Sequence, residues 1–464
     1  MTYRRLLAEN ADFRRLWTGQ AVSEIGDWLN NIAVLALTIQ LAGPGREGQA
    51  VALYAVSRHL PLFLFGPFAG VVVDRLDRRR VMIASDCARA VLALGFLAAA
   101  HFGTLSLIYL VGAALFAVSA FFNVARRASI PNLARGADQL ITANALSSST
   151  TASTIAAGSA LGGLVSTFVG RDAVFIFNSA TFLVSAWMIS RIQTPTQRRA
   201  DAATPGRSEK QVAEDNGRAG FETKAAPGHG RRAHASPRLR AAVAAFWREF
   251  REGLRYVRSQ DVLRALFVVG AGWGLGNGVA RALYSIFGAQ LGVAAATGLV
   301  ARPTDFGISV LFAAMGLGGV IGSPIARRSN AGGGSALASR MGRTMIFDGC
   351  CLIIFTLMPG LWSAAAVLVA RDINFSIWWT AKQTIIMSRT EDRYAGRVFA
   401  SYETVTTLMM VGAMLAAGAS ADRFGIRPVA AIGGLIVALS GATWFLLRSR
   451  QRQRANTVSN AQEL

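Results

Sequence analysis

Gly70-Val71-Val72-Val73-Asp74-Arg75-Leu76-Asp77-Arg78-Arg79-Arg80 closes an apolar run that begins near Val51. A run of that length ending in a compact acid–base knot reads as a helix leaving a bilayer. Gly70 has no side chain to hold a second helix away. Asp74 can accept hydrogen bonds from backbone or arginine, and Arg75 with the arginines after it stays on the cytoplasmic side.

The composition outside this stretch is of the same kind. Apolar residues make up 52% of the 464 and charged residues 16%, where a soluble domain carries about a quarter charged. The net charge of +22 raises nucleic-acid binding as a function. The arginines come instead in short clusters between apolar spans, so the excess is topological and no nucleic-acid partner is expected. Cys87, Cys350 and Cys351 have neither disulfide nor metal-ligand spacing. A phosphate-binding glycine loop and a catalytic triad are both missing. The sequence therefore reads as neither an enzyme nor a cofactor protein. The first apolar span is too long for a signal-peptide core, and no cleaved leader is expected.

A window of roughly 20 apolar residues gives about twelve spans. They are 16–41, 50–73, 81–101, 104–125, 140–168 and 172–191, then 262–288, 306–326, 343–359, 361–384, 398–420 and 427–448. Arginine clusters fall on alternate gaps, at 14–15, 75–80, 126–127, 327–328, 389–397 and 448–454. The remaining gaps hold isolated Arg46, Arg171 and Arg302, with Arg423 and Arg427 at the last turn. The positive-inside rule then places both termini in the cytoplasm. The expected division is a six-helix bundle over 1–192, a cytoplasmic linker over 193–260, a second bundle over 261–448 and a tail over 449–464. The segment 193–240 is polar, without apolar periodicity, and reads as disordered. Beyond it Leu239, Val243, Phe246, Phe250, Leu254 and Val257 recur at spacings of three and four. That is the stripe of a helix lying on the membrane surface; docking on a partner is the alternative.

Polar stripes inside the spans mark a cavity. Gln20, Glu24, Asp27 and Asn31 are spaced four, three and four and share one helix face. A carboxylate at mid-bilayer costs roughly 2.5–3.5 kcal/mol, so two on one stripe face water or a partner. A cavity-facing acid suits proton transfer; a structural acid paired with arginine is the bland alternative. Asp27 lies about eleven residues into its span and Arg58 about eight into the antiparallel second span, which gives similar depths and an expected Asp27–Arg58 pair. His59 beside it reads as a structural histidine. The seventh span carries Trp273, Asn277, Arg281 and Tyr284 on one face. The tenth carries Arg371, Asn374, Trp378 and Lys382, with Asp372 adjacent. Arginine among aromatics points to an anionic or aromatic ligand; ion pairing and ordinary packing are the alternatives.

The 70–80 stretch resembles the signature loop between helices 2 and 3 of major facilitator superfamily transporters, with Asp77 where the family usually has a second glycine. Ala157-Gly158-Ser159-Ala160-Leu161-Gly162-Gly163 resembles the fifth-helix motif of the superfamily's antiporters, with Ser159 in place of a proline and Thr154 in place of a leading glycine. Further matches are Asp12-Phe13-Arg14-Arg15-Leu16-Trp17, Arg126-Arg127-Ala128-Ser129-Ile130-Pro131, Ala143-Asn144-Ala145-Leu146, Phe177-Asn178, Gly253-Leu254-Arg255-Tyr256 and Gly396-Arg397-Val398-Phe399. In this order they are similar to the bacterial branch that includes the enterobactin exporter and macrolide-efflux proteins.

The resemblance implies an all-α membrane fold of twelve helices in two pseudo-symmetric bundles around a cavity that opens alternately to each side. It also implies a gate of Gly70, Asp74, Arg75, Arg126, Arg127 and Arg397, with Asp74 meeting Arg126 or Arg127 and the eleventh helix near Gly396. The expected activity is proton-coupled efflux of a small amphipathic molecule, a drug or siderophore, by a monomer in the bacterial inner membrane. Its partners are the substrate, protons and lipid. An uncoupled facilitator or importer, or a non-transporting sensor, are the alternatives.

Overall fold

A computed structural model describes residues 1–196, 235–329 and 335–462. Most of the expected linker, 197–234, and the glycine-rich 330–334 lie outside the described residues. Helices account for nearly all the rest. A short α1 (Tyr3–Glu9) precedes six long helices: α2 (Ala11–Ala42), α3 (Glu47–Arg75), α4 (Arg78–Phe102), α5 (Leu105–Leu133), α6 (Ala137–Phe168) and α7 (Arg171–Ser190). After the gap come α8 (Ala235–Ser259) and six more: α9 (Asp261–Ala296), α10 (Pro303–Ser329), α11 (Ser335–Leu357), α12 (Leu361–Arg389), α13 (Asp392–Phe424) and α14 (Ile426–Gln462).

The twelve long helices coincide with the expected spans. Nine are apolar enough along their length to cross a membrane by composition alone. The other three, α6, α11 and α12, carry the polar residues that pull them below that measure: serines and threonines on α6, Arg340, Arg343 and Asp348 on α11, and Arg371, Asp372 and Lys382 on α12. In a membrane such residues must face protein or water.

The packing has twofold pseudo-symmetry. In the first half α2 packs on α6 and α7, α3 on α5, and α4 on α5 and α7. In the second, α9 packs on α13 and α14, α10 on α12, and α11 on α12 and α14. The halves meet along two seams, α3 against α13 and α6 against α10. Small residues make these contacts close. Gly158 and Gly162 of α6 lie on the backbone of α2 at Ile25 and Leu29, and Gly316 of α10 lies on Ala156 of α6.

At the end away from the arginine clusters both seams are latched. The first-turn amides of α3 have no side-chain cap of their own. Asp422 of α13 supplies it: Gly48 N–H and Gln49 N–H donate to its two oxygens at 2.7 and 2.8 Å, which also sets a carboxylate at a helix N-terminus. On the other seam Arg171 of α7 donates to buried Asp305 of α10 through Nε (2.9 Å) and Nη2 (2.7 Å). Ser166 donates to the same carboxylate, and Arg302 donates to the Ser166 carbonyl at 2.8 Å.

The basic end is open. A side chain built on Gly66, Gly70 or Gly396 would meet nothing within 4 Å. No close approach is made at Gly70 here: α3 and α13 touch at Gly48 and Gly418. Asp77 accounts for its own departure from the family pattern by capping α4, accepting from Arg80 N–H at 2.9 Å.

α8 packs on α13 through polar anchors on its own face. Glu252 pairs with Arg397 at 3.0 Å, Tyr256 stacks on Tyr394 at 4.5 Å, and Ser401 donates to the Phe250 carbonyl. The stripe residues Leu239, Val243 and Phe246 lie outside the described side chains. α14 runs on through the expected tail to Gln462.

Candidate functional site

The four-residue stripe on α2 does share one face, but its partners differ from those expected. Gln20 donates to Glu24 at 2.7 Å, and Thr154 of α6 donates to the other Glu24 oxygen at 3.1 Å. Asp27 stands 3.9 Å from Arg89 of α4. The expected Asp27–Arg58 pair is not formed: Arg58 donates to Asn31 and lies over Phe116, with Trp28 and Tyr54 nearby. The reason lies on α4. Arg89 is buried between the faces of Phe122 and Phe182, at 4.1 and 4.4 Å, and is ion-paired with Asp86, which is fully buried. Asp27 approaches the outer edge of that pair with 27% of its side chain exposed. His59 bonds the Ala55 carbonyl at 2.8 Å, as a structural histidine does.

The second half repeats the plan. Arg371 of α12 is buried beside Asp348 of α11 at 2.9 Å and Asp372 at 3.5 Å, and it donates to Asn277 of α9 at 2.9 Å. Tyr284 and Phe375 flank its guanidinium. The aromatic residues on these stripes are mainly packing: Trp273 stacks on Trp378 at 4.5 Å and on Phe375 at 6.0 Å. Asn374 donates to the Thr344 carbonyl at 2.8 Å. Arg371 is thus ion-paired within its own half. Arg281, from the same α9 stripe, is exposed at mid-helix.

Three acids went unread in the sequence. Asp86 and Asp348 lie within α4 and α11 and are buried. Glu403 of α13 holds Lys382 at 3.1 Å, with Lys382 buried over Trp379. A signal was present for Asp86: with Arg89 it forms an i, i+3 acid–base pair inside an apolar span. Among the gate residues, Arg126 is buried, Asp74, Arg75 and Arg127 are exposed, and Arg397 is held by Glu252. No group of three or more metal-ligating side chains occurs among the described residues.

The site is therefore a pair of buried arginine–acid clusters, one per half, with the partly exposed Asp27 and the exposed Arg281 near them. Residues 7–207 match the family described as transmembrane secretion effector. A Bacillus amyloliquefaciens protein named as a bacilysin exporter, BacE, is 34% identical over 177 residues, covering 38% of this chain and 42% of that one. Macrolide efflux protein A of Streptococcus pyogenes is 34% identical over 74 residues, 16% of this chain and 18% of that one. The matched stretch thus spans under half the length of these relatives. Over the whole length, the solved structure of a bacterial homologue of the lysosomal transporter Spinster superposes with a TM-score of 0.62 at 12% identity, covering 94% of this chain and 96% of that chain. The chain thus has the fold of that solved structure, and its residues 7–207 are similar to the transmembrane secretion effector family.

Proposed function

We propose that this protein is a proton-coupled exporter of a small amphipathic molecule across the bacterial inner membrane, with both termini and the basic end in the cytoplasm. The observation that carries the reading is the setting of Asp27. It is a mid-span carboxylate, partly exposed, beside an arginine already neutralised by Asp86. It can therefore exchange a proton with water without dismantling the buried pair. The two latches at the far end and the open glycines at the basic end support reading this as a cytoplasm-open state, and exchange with an outward-open state would complete alternating access. Efflux as the direction is supported by the names of the relatives of the N-terminal half.

The test is accumulation of siderophores and of cationic, neutral and anionic drugs in cells with and without the protein, each with and without a protonophore. Lower accumulation that the protonophore abolishes is the expected result. Lower accumulation insensitive to the protonophore would make the protein an uncoupled facilitator. No difference for any compound would remove the transport reading.

A further inference from the structure

The mid-membrane arginines differ in how they are satisfied. Arg89 and Arg371 are buried and each faces two acids. Arg58 and Arg281 do not fit that pattern. Arg281 lies twenty residues past Asp261 in a helix of 36 residues, exposed, and makes no hydrogen bond or ion pair among the described residues. Arg58, from the opposite half, bonds one neutral amide and makes no ion pair among the described residues. α3 and α9 pack against each other, and the two guanidinium groups lie within electrostatic range of one another, with His59 also in range and Asp372 beside Arg281.

An exposed arginine at mid-membrane depth faces water, because lipid would not tolerate it. Arg281 and the half-buried Arg58 carry like charge and repel each other, and an anion between them relieves that repulsion. The guanidinium fork matches carboxylate and phosphate oxygens in two-point geometry. The wall beside Arg58 is aromatic: Phe116 at 4.8 Å and Trp28 at 5.7 Å, with Trp28 in turn near Phe312 of α10 at 6.2 Å. That surface suits the apolar body of an amphipathic ligand.

We propose that Arg58 and Arg281 form a clamp, one jaw from each half, for the carboxylate or phosphate group of an amphipathic anion. The inference deepens the exporter reading and rests on it for the identification of a transport route between the halves. It also fits the energetics of export. An anion leaving a cell with a negative interior moves down the electrical gradient, so proton entry and anion exit are both driven by the membrane potential. Because the jaws belong to different halves, the bound anion bridges the parts that must move in alternating access.

The test uses full-length protein in lipid nanodiscs, without gradients, and three fluorescent probes sharing one apolar body: dansylglycine, its uncharged amide, and the corresponding dansyl phosphonate. Fluorescence titration should show at least one anionic probe binding about tenfold more tightly than the amide, the size expected of charged hydrogen bonds. Preference for carboxylate over phosphonate, or the reverse, identifies the group. Arg281→Gln and Arg58→Gln should each abolish the preference, and Arg281→Lys should restore part of it. The exposed surface variant Arg264→Gln should leave it intact, and melting curves confirm that each variant is folded. The clamp is overturned if the amide binds as well as the anions, if no probe binds, or if the preference survives both glutamine variants. Since no gradient is applied, this outcome is independent of whether energised efflux is found in cells.

Discussion

Each half of the molecule holds one buried arginine between two acids, and the two arrangements are strung differently. In the second half Arg371 is held at 2.9 Å by Asp348, at 3.5 Å by Asp372 and at 2.9 Å by Asn277, and the wall acid Asp372 keeps only 12% of its side chain exposed. In the first half the inner pair Arg89–Asp86 is equally buried, but the wall acid Asp27 stands off at 3.9 Å and is 27% exposed. The same plan thus yields a braced cluster in one half and a loosely tethered acid in the other. A loosely tethered acid can change protonation at small structural cost, whereas a braced one takes its neighbours with it.

The largest effects should come from removing the arginines. Arg371→Leu strands Asp348 and Asp372, and Arg89→Leu strands Asp86; each should cost about 3–5 kcal/mol, seen as loss of a monodisperse, cooperatively melting protein in detergent. Full retention of the melting temperature in either would show that the clusters are not structural. Next come the wall acids, where the halves should diverge. Asp372→Asn should destabilise by about 1–3 kcal/mol through loss of a charged hydrogen bond, while Asp27→Asn should cost less than about 1 kcal/mol. Equal costs would erase the contrast.

The latches carry a smaller expected effect. Asp422→Asn weakens the cap on α3, worth about 1 kcal/mol, and favours the state in which the basic end closes. Labelling of Gly70→Cys or Gly396→Cys, open to solvent here, should then slow severalfold. Asp305→Asn should do the same more strongly, because its carboxylate is buried and takes two bonds from Arg171. Unchanged labelling in both variants would show that these contacts do not set the conformational balance. The smallest effect should be that of Glu252→Ala, whose half-exposed pair with Arg397 is worth at most about 1 kcal/mol. A large loss of stability there would mean that α8 is integral to the second half.

Much of this contrast could be read along one helix at a time, and much could not. The spans, the arginine clusters and the α2 stripe are periodic features of single segments, so spacing alone exposes them. Partner choice depends on how each helix is rotated against helices distant in sequence. Asp27 meets Arg89 and not Arg58 because Arg89 is set on α4 between Phe122 and Phe182. Likewise Arg371 and Arg281 both sit on polar stripes, and only the packing of α11 shows that Asp348 satisfies one of them. The docking of α8 was hidden for a related reason. Its apolar period suits lipid and protein alike, and the polar anchors Glu252 and Tyr256 gain meaning only once Arg397 and Tyr394 lie beneath them.

Side-by-side transport assays of Asp27→Asn and Asp372→Asn bear most directly on the assignment of the proton to the loosely tethered acid. Both variants would be expressed at matched levels, and each assayed for uphill, protonophore-sensitive efflux and for energy-independent exchange of the same substrate. Asp27→Asn should lose uphill efflux and keep exchange. Asp372→Asn, once corrected for protein amount, should keep both. Uphill efflux at normal rate in Asp27→Asn, or its selective loss in Asp372→Asn, would contradict the account.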